Sequence, residues 1–250
     1  MLSISIITAT YNCERTIVDT LQSVANQTYP HLKHILIDGA STDNTVALAE
    51  QFTHISKIVS EPDKGIYDAM NKGIGHADGD VVGILNGDDY YANNAVIETV
   101  MQRFSDPAVM CVYGDLVYVD EKNPEKIRRY WKAGEYRQKK FYYGWMPPHP
   151  SFFVRKSLYE KFGLFNTGFR SAADYELMLR FLLKYRQPAA YVPEILVKMR
   201  TGGVSNASWK NRIRANQEDR RAWAENGLKP YFFTIPLKPL SKFGQFLIHS

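Results

Sequence analysis

The tetrad Asn86-Gly87-Asp88-Asp89 places two carboxylates side by side, directly after the apolar run Val81 to Leu85. Adjacent carboxylates repel, and a bound cation relieves the repulsion. Oxygen ligands suit Mg²⁺ or Mn²⁺, which are held by one or two carboxylates together with substrate phosphates. The same residues also read as a cap and first-turn acid for a helix near Asn94 to Phe104, and the sequence leaves both options open. Three other polar clusters behave alike: Thr8-Ala9-Thr10-Tyr11-Asn12, Asp38-Gly39-Ala40-Ser41-Thr42-Asp43 and Glu61-Pro62-Asp63-Lys64-Gly65. Each follows an apolar run, and each alone reads as a turn. All four together predict polar groups aimed at one edge of a sheet.

The elements that would carry them alternate over the first hundred residues. Strands are predicted at Ser3 to Ala9, His34 to Ile37, Ile55 to Val59 and Val81 to Leu85. Helical spacing runs through Glu14 to Gln27, from a cap at Ser41 or Thr42 to about Phe52, through Ile66 to Ala77, and near Asn94 to Phe104. Strand-helix alternation with short links implies right-handed crossovers, a parallel sheet and helices on both faces. In such sheets ligands bind beyond the carboxyl ends of the strands. The second half is less regular. Val109 to Val119 reads as a strand or hairpin, 123 to 148 as loop-rich, Ser151 to Val154 as a short strand and Ala173 to Tyr185 as a strong helix. Ala190 to Lys198 reads as a strand and Ala207 to Ala224 as a polar helix. No internal repeat is present.

The chain has 250 residues, 45% hydrophobic and 23% charged, the balance of an ordinary water-soluble domain with a sizeable core. The first residues lack a basic start and read as a strand rather than a signal peptide. No run approaches the length of a spanning helix. Cys13 and Cys111 form no metal or disulfide pattern, which fits a reducing cytoplasm. The formal charge is +5. Seven Lys or Arg and only Glu135 among acids lie between Lys126 and Lys140, and no acid follows Glu225. Such a surface suits an anionic partner or is simply a solvated face.

These motifs resemble glycosyltransferase family 2, the large inverting class with the GT-A fold. The resemblance runs from about Ser3 to Ser205. Its most specific stretch is Glu61-Pro62-Asp63-Lys64-Gly65-Ile66-Tyr67-Asp68-Ala69-Met70-Asn71-Lys72-Gly73, similar to enzymes of bacterial exopolysaccharide and lipopolysaccharide synthesis, colanic-acid-type enzymes included. His149-Pro150-Ser151-Phe152-Phe153, Ala173-Asp174-Tyr175-Glu176-Leu177 and Met199-Arg200-Thr201-Gly202-Gly203-Val204-Ser205 fit the same subgroup. The implied fold is a Rossmann-like, mostly parallel α/β sheet. It forms one domain over 1–205, with a donor half at 1–105 and an acceptor half at 106–205. A C-terminal helix and tail follow at 206–250.

The resemblance also implies roles. Asp38 accepts a hydrogen bond from the nucleobase, which the backbone at Thr10 and Tyr11 walls. Asp88 and Asp89 hold Mg²⁺ or Mn²⁺, helped by Asn86, which stands where many members have an acid. Asp174 occupies the place of the catalytic base, which a sugar hydroxyl needs as it attacks the anomeric carbon. Its other reading is a helix-start acid, and Glu176 is a rival two residues on. Asp63, Lys64, Tyr67 and Asn71 line the donor pocket or start the following helix. His149 contacts acceptor or diphosphate, or is packed. Arg200, beside Gly202 and Gly203, closes over the diphosphate. Tyr142, Tyr143 and Trp145 stack on sugar or belong to the core.

The implied activity is inverting transfer from a nucleotide sugar, a UDP-sugar in preference to a GDP-sugar, to a glycan or lipid-linked acceptor in bacterial surface polysaccharide synthesis. The apolar, basic stretch from Tyr231 to Phe243 lies on the inner membrane surface or packs on the domain. The expected place is the cytoplasm, with peripheral contact to that membrane. A nucleotidyltransferase is the first rival, but Thr8 to Asn12 lacks the glycines and basic residues of a phosphate loop. A non-catalytic nucleotide- or glycan-binding module is the second. No nucleic-acid motif is present.

Overall fold

The computed structural model describes residues 1–201 and 209–240. The first half alternates as the pattern requires: β1 (Ile4–Thr10), α1 (Ile17–Ala25), β2 (Leu32–Asp38), α2 (Thr45–Ala49), β3 (Ile55–Ser60), α3 (Ile66–His76), β4 (Val81–Asn86). A three-residue strand, β5 (Asp89–Tyr91), precedes α4 (Val96–Phe104). Then come β6 (Cys111–Val119), β7 (Ile127–Trp131), α5 (Gln138–Tyr142), β8 (Phe152–Arg155), α6 (Lys156–Phe162), α7 (Ala173–Met178), β9 (Ala189–Arg200), α8 (Trp209–Glu225) and α9 (Thr234–Leu240). A 3₁₀ turn at His149–Ser151 leads into β8, and α7 continues as a π-helical stretch through Leu179–Lys184.

Among the described residues one sheet runs in the order β3-β2-β1-β4-β8-β6-β9-β5, with β7 beside β6. The strands β3, β2, β1 and β4 are parallel. The remainder is mixed: β8 is antiparallel to β4 and β6, β9 is parallel to β6, and β5 and β7 are antiparallel. The sheet is thus less parallel than the sequence suggests. The loop-rich reading of 123–148 missed β7 and α5, because three of the five residues of β7 are basic or exposed and conceal its alternation.

Every residue of β1 is buried, as in a strand covered on both faces. Adjacent residues of β2 show how. Leu36 packs with Ile17, Leu21 and Ala49 of α1 and α2, while Ile35 and Ile37 join the main core with α3 and α4. The period of two along the strand sends neighbours to opposite faces, so helices sit on both. No helix of the described residues is long and apolar enough to cross a membrane.

Candidate active site at the carboxyl edge of the sheet

Register aligns the strand ends. Thr10 sits opposite Asp38, Asp38 opposite Ser60, and Ala9 opposite Asn86. Backbone bonds continue past the strands, from Gly39 N to Thr10 O at 2.9 Å and from Gly87 N to Ala9 O at 3.0 Å. Gly87 must be a glycine: a Cβ there would lie 2.6 Å from Thr10 Oγ1. The four polar clusters therefore share one edge.

The acid pair lies at the centre of that edge. Asp89 opens β5, seven residues before α4, whose N-cap is Ala95 without a side-chain bond, so the capping option is removed. Asp89 is fully buried, and its Oδ2 accepts a bond from Asn86 Nδ2 at 3.1 Å. Six buried side-chain polar atoms among the described residues lack a partner. Four are in Asn86, Asp89, Tyr90 and Tyr91, and a fifth is Thr10 Oγ1 against Gly87. Native proteins rarely leave such atoms unsatisfied. Burial raises the carboxyl pKa of Asp88, and burial with the neighbouring Asp88 charge raises that of Asp89 well above its ordinary value. A divalent cation would reverse both effects and take up the orphaned Asn86 Oδ1 and Asp89 Oδ1. The donor set therefore fits Mg²⁺ or Mn²⁺. No group of three or more His, Cys, Asp or Glu able to hold a metal occurs among the described residues. An ion held there would draw its remaining ligands from phosphate and water, as is usual for Mg²⁺.

Arg200 is placed otherwise than the sequence suggests. Its guanidinium donates to Asp88 O at 2.8 Å, pairs with Asp19 and stacks 4.8 Å from the Tyr90 ring centre. It braces the acid loop from behind, at 7% exposure, rather than standing free to close over a ligand. Gly202 to Ser205 lie outside the described residues.

Asp174 is in the first turn of α7, at 15% side-chain exposure. Its Oδ1 accepts from Tyr67 OH at 3.1 Å, and its Oδ2 faces His149 Nδ1 at 3.5 Å. Burial and the Asp174 charge push the Tyr67 hydroxyl pKa upward, so it stays a donor. Tyr67 is fixed by its ring, stacked 5.7 Å from that of Phe165. Two residues along a helix are about 200° apart, so Glu176 points elsewhere. It is held by Arg180 at 2.8 and 3.0 Å and by Asn226 Nδ2 at 3.1 Å, which makes it structural.

Asp174 and His149 line a small pocket together with Ile84 of β4, two residues before Asn86. Burial is the main cause that raises the Tyr118 hydroxyl pKa. Tyr118 and Arg129, register partners on β6 and β7 with the guanidinium 4.6 Å from the ring centre, went unnoticed in the sequence. No alternation marked them, because β6 is buried at every position except Tyr118.

The base-binding candidates divide. Asp38 is fully buried, with its oxygens accepting from Ser41 N at 2.9 Å, Ser60 Oγ at 2.6 Å and Ser41 Oγ. It folds the turn, and a bond to a base would require one of these to be released. Gly39 lies under the Asp63 carboxylate and the Tyr11 ring, at 2.5 and 3.4 Å from a would-be Cβ. Tyr11 is 59% exposed. Asp63 Oδ1 accepts from Gly65 N at 2.8 Å, where a φ of 115° suits only glycine. Lys64 is exposed, and its N–H bonds Asp68. Asn71 is spent on Phe165, donating to O and accepting from N, each at 2.9 Å, so it fixes packing. Tyr142 and Trp145 are packed against the core, and Tyr143 is exposed.

The fold and edge site can be set beside known proteins. "Uncharacterized glycosyltransferase Rv1514c" of Mycobacterium tuberculosis is 32% identical over 191 residues, covering 72% of this chain and 69% of that one. Staphylococcus aureus TarS 1–349, crystallised with UDP, matches with a TM-score of 0.67 at 17% identity, over 94% of this chain and 68% of that one. Against the longer TarS structure the chain spans 39% of its length. The mannosyltransferase PcManGT of Pyrobaculum calidifontis, in complex with GDP-Man and Mn²⁺, matches at TM-score 0.67 and 20% identity, over 97% and 69% of the two chains. At these identities the structures establish the fold, which is the GT-A arrangement. The model named Glycosyl transferase family 2 matches residues 5–163, well over half the chain. The chain belongs to glycosyltransferase family 2 and is a glycosyltransferase.

Proposed function

We propose that this enzyme moves a sugar, with inversion, from a nucleoside diphosphate sugar to a hydroxyl of a glycan or lipid-linked acceptor in bacterial surface polysaccharide synthesis. The observation that carries the reading is the group of orphaned buried oxygens at Thr10, Asn86 and Asp89, at the end of the strand whose Ile84 lines a pocket with Asp174 and His149. Asp88, Asp89 and Asn86 would hold Mg²⁺ or Mn²⁺, which would supply positive charge to the departing diphosphate. Asp63 and Tyr11 flank the base over Gly39, with Asp38 shaping the turn below. A UDP-sugar is favoured over a GDP-sugar by the subgroup resemblance. Residues 1–105 form the donor half, 106–205 the acceptor half and 206–250 the tail. The setting is the cytoplasm, at the inner face of the membrane.

The residues account for the transfer. Tyr67 holds Asp174 through Oδ1, which leaves Oδ2 to take the acceptor proton. The hydroxyl oxygen bonds to the anomeric carbon from one face as the bond to the diphosphate oxygen breaks on the other. The nucleoside diphosphate leaves with that electron pair. The charge that develops on the sugar is oxocarbenium-like. His149 stands beside Oδ2 and limits how the carboxylate can rotate. A panel of nucleotide sugars with Mn²⁺ or Mg²⁺ tests the reading by thermal shift and donor hydrolysis. One donor should stabilise the protein only when metal is present. No shift with any nucleotide sugar would reject the reading.

A further inference from the structure

Two segments that meet at one corner of the molecule contain no acid. Neither 136–159 nor 226–240 has an Asp or Glu, while Lys139, three residues before Tyr142, and Lys229, two before Tyr231, lie exposed. The segments are locked together. Thr234 Oγ1 donates to Tyr142 O at 2.6 Å, and the backbone of Lys238 would lie 2.5 Å from a Cβ on Gly144. Tyr142 is anchored on Trp223, ring centres 5.0 Å apart. Lys238 itself is spent on Asp219 at 2.6 Å and on the Tyr175 ring, so it holds α9 to the body rather than facing outward.

On this rigid base stands an aromatic ridge. Phe233 touches Phe232, Tyr231 and Tyr143, with ring centres 5.1, 5.3 and 5.8 Å away. Phe232 is 94% exposed, Tyr143 57% and Tyr231 51%. A phenylalanine so exposed on an anchored element adds nothing to the core. It protrudes, whereas protein hot spots pack into pockets. A second copy of the ridge would bring like charges together. Tyrosine rings favour the headgroup level of a bilayer, and nearby lysines favour anionic lipid. Weak apolar anchoring and weak charge attraction suffice when combined.

We propose that Tyr143, Tyr231 and Phe232 form a bilayer-contacting ridge, flanked by Lys139 and Lys229, that seats the enzyme on an anionic membrane. This fits a lipid-borne acceptor but stands on the ridge alone. The test sediments the full chain with vesicles of phosphatidylcholine, with and without phosphatidylglycerol. Donor hydrolysis is measured on the same samples. Binding should require phosphatidylglycerol and weaken with added salt. Phe232→Glu and the pair Lys139→Gln with Lys229→Gln should each weaken it about tenfold or more, with donor hydrolysis unchanged. No binding to anionic vesicles would overturn the proposal, as would binding that survives Phe232→Glu combined with Tyr143→Glu. A concentration-dependent dimer abolished by Phe232→Glu, without vesicle binding, would assign the ridge to self-association instead. Lost hydrolysis in the unmodified protein would count against the proposed function and leave the vesicle result to stand by itself.

Discussion

Buried acids are treated in opposite ways around α7 and α8 and at the start of β5. Around α7 and α8 each buried acid is matched. Glu176 has Arg180 and Asn226, Glu218 accepts from Arg170 N, Ser171 N and Ser171 Oγ, and Asp219 has Lys238. At the start of β5, Asp89 is just as buried, with the Asn86 amide at 3.1 Å and a backbone bond from Arg200, but keeps a bare Oδ1. A buried unsatisfied group costs about 1–3 kcal/mol, more if charged. Satisfied acids therefore hold the fold, and the unsatisfied one marks where a ligand is expected. Asp174 lies between these extremes, held on one oxygen by Tyr67 and faced on the other only by His149 at 3.5 Å.

The sharpest contrast is between activity and stability. Asp174→Asn should lower kcat by roughly 10²–10⁴-fold while the melting temperature barely moves, since the amide keeps the shape and the Tyr67 bond. Glycosyl transfer and thermal unfolding of the same preparation check this, and near-normal transfer would remove the base. Glu176→Ala should do the reverse. It takes the carboxylate from the part-buried Arg180, which keeps the carbonyls of Phe162, Gly163 and Leu164, and should destabilise by about 1–3 kcal/mol in urea titrations, with donor hydrolysis per folded molecule retained.

Asp89→Asn discriminates further. Without metal it relieves a repulsion and should change stability by no more than about 1 kcal/mol, in the stabilising direction. The metal-dependent donor shift should vanish. A loss as large as that of Glu176→Ala would place Asp89 among the structural acids. An effect confined to acid pH concerns His34, fully buried between Thr8 Oγ1 at 2.8 Å and His54 at 2.9 Å. Burial, then the His54 charge, lowers its pKa from 6.5 to about 3. The unfolded chain thus takes up that proton first. Stability should be level above pH 6.5 and fall as pH drops towards 3, by at most about 1.4 kcal/mol per pH unit for this group. His34→Gln should flatten that part of the slope in denaturant titrations at stepped pH, and an unchanged slope would assign it elsewhere.

Much of this was readable beforehand because the informative residues are local. The apolar runs of β1 to β4 and the helical spacing of α1, α3 and α4 identify themselves, and parallel connection then forces Thr10, Asp38, Asp63 and Asn86 to one edge. What stayed hidden depends on distant partners. Asn71 belongs to Phe165, 94 positions on, and Arg200 belongs to Asp19, 181 positions back. Neither pairing leaves a local trace, so both residues read as ligand contacts. β5 was concealed because three residues opening on an acid look like a turn, although they pair with Val197 to Met199. α6 and α9 were missed as well; α9 carries two prolines within seven residues, which breaks the usual helical signature.

The central claim is that Asp88 and Asp89 grip a divalent ion on one side of a donor cleft that Asp174 faces from the other. Crystals grown with UDP and Mn²⁺, and measured at the manganese edge, test it directly. An anomalous peak against Asp88 or Asp89, shared with the diphosphate and with Asp174 across the cleft, is the predicted result. Nucleotide bound with no peak at those carboxylates, or with Asp174 on a separate surface, would contradict it.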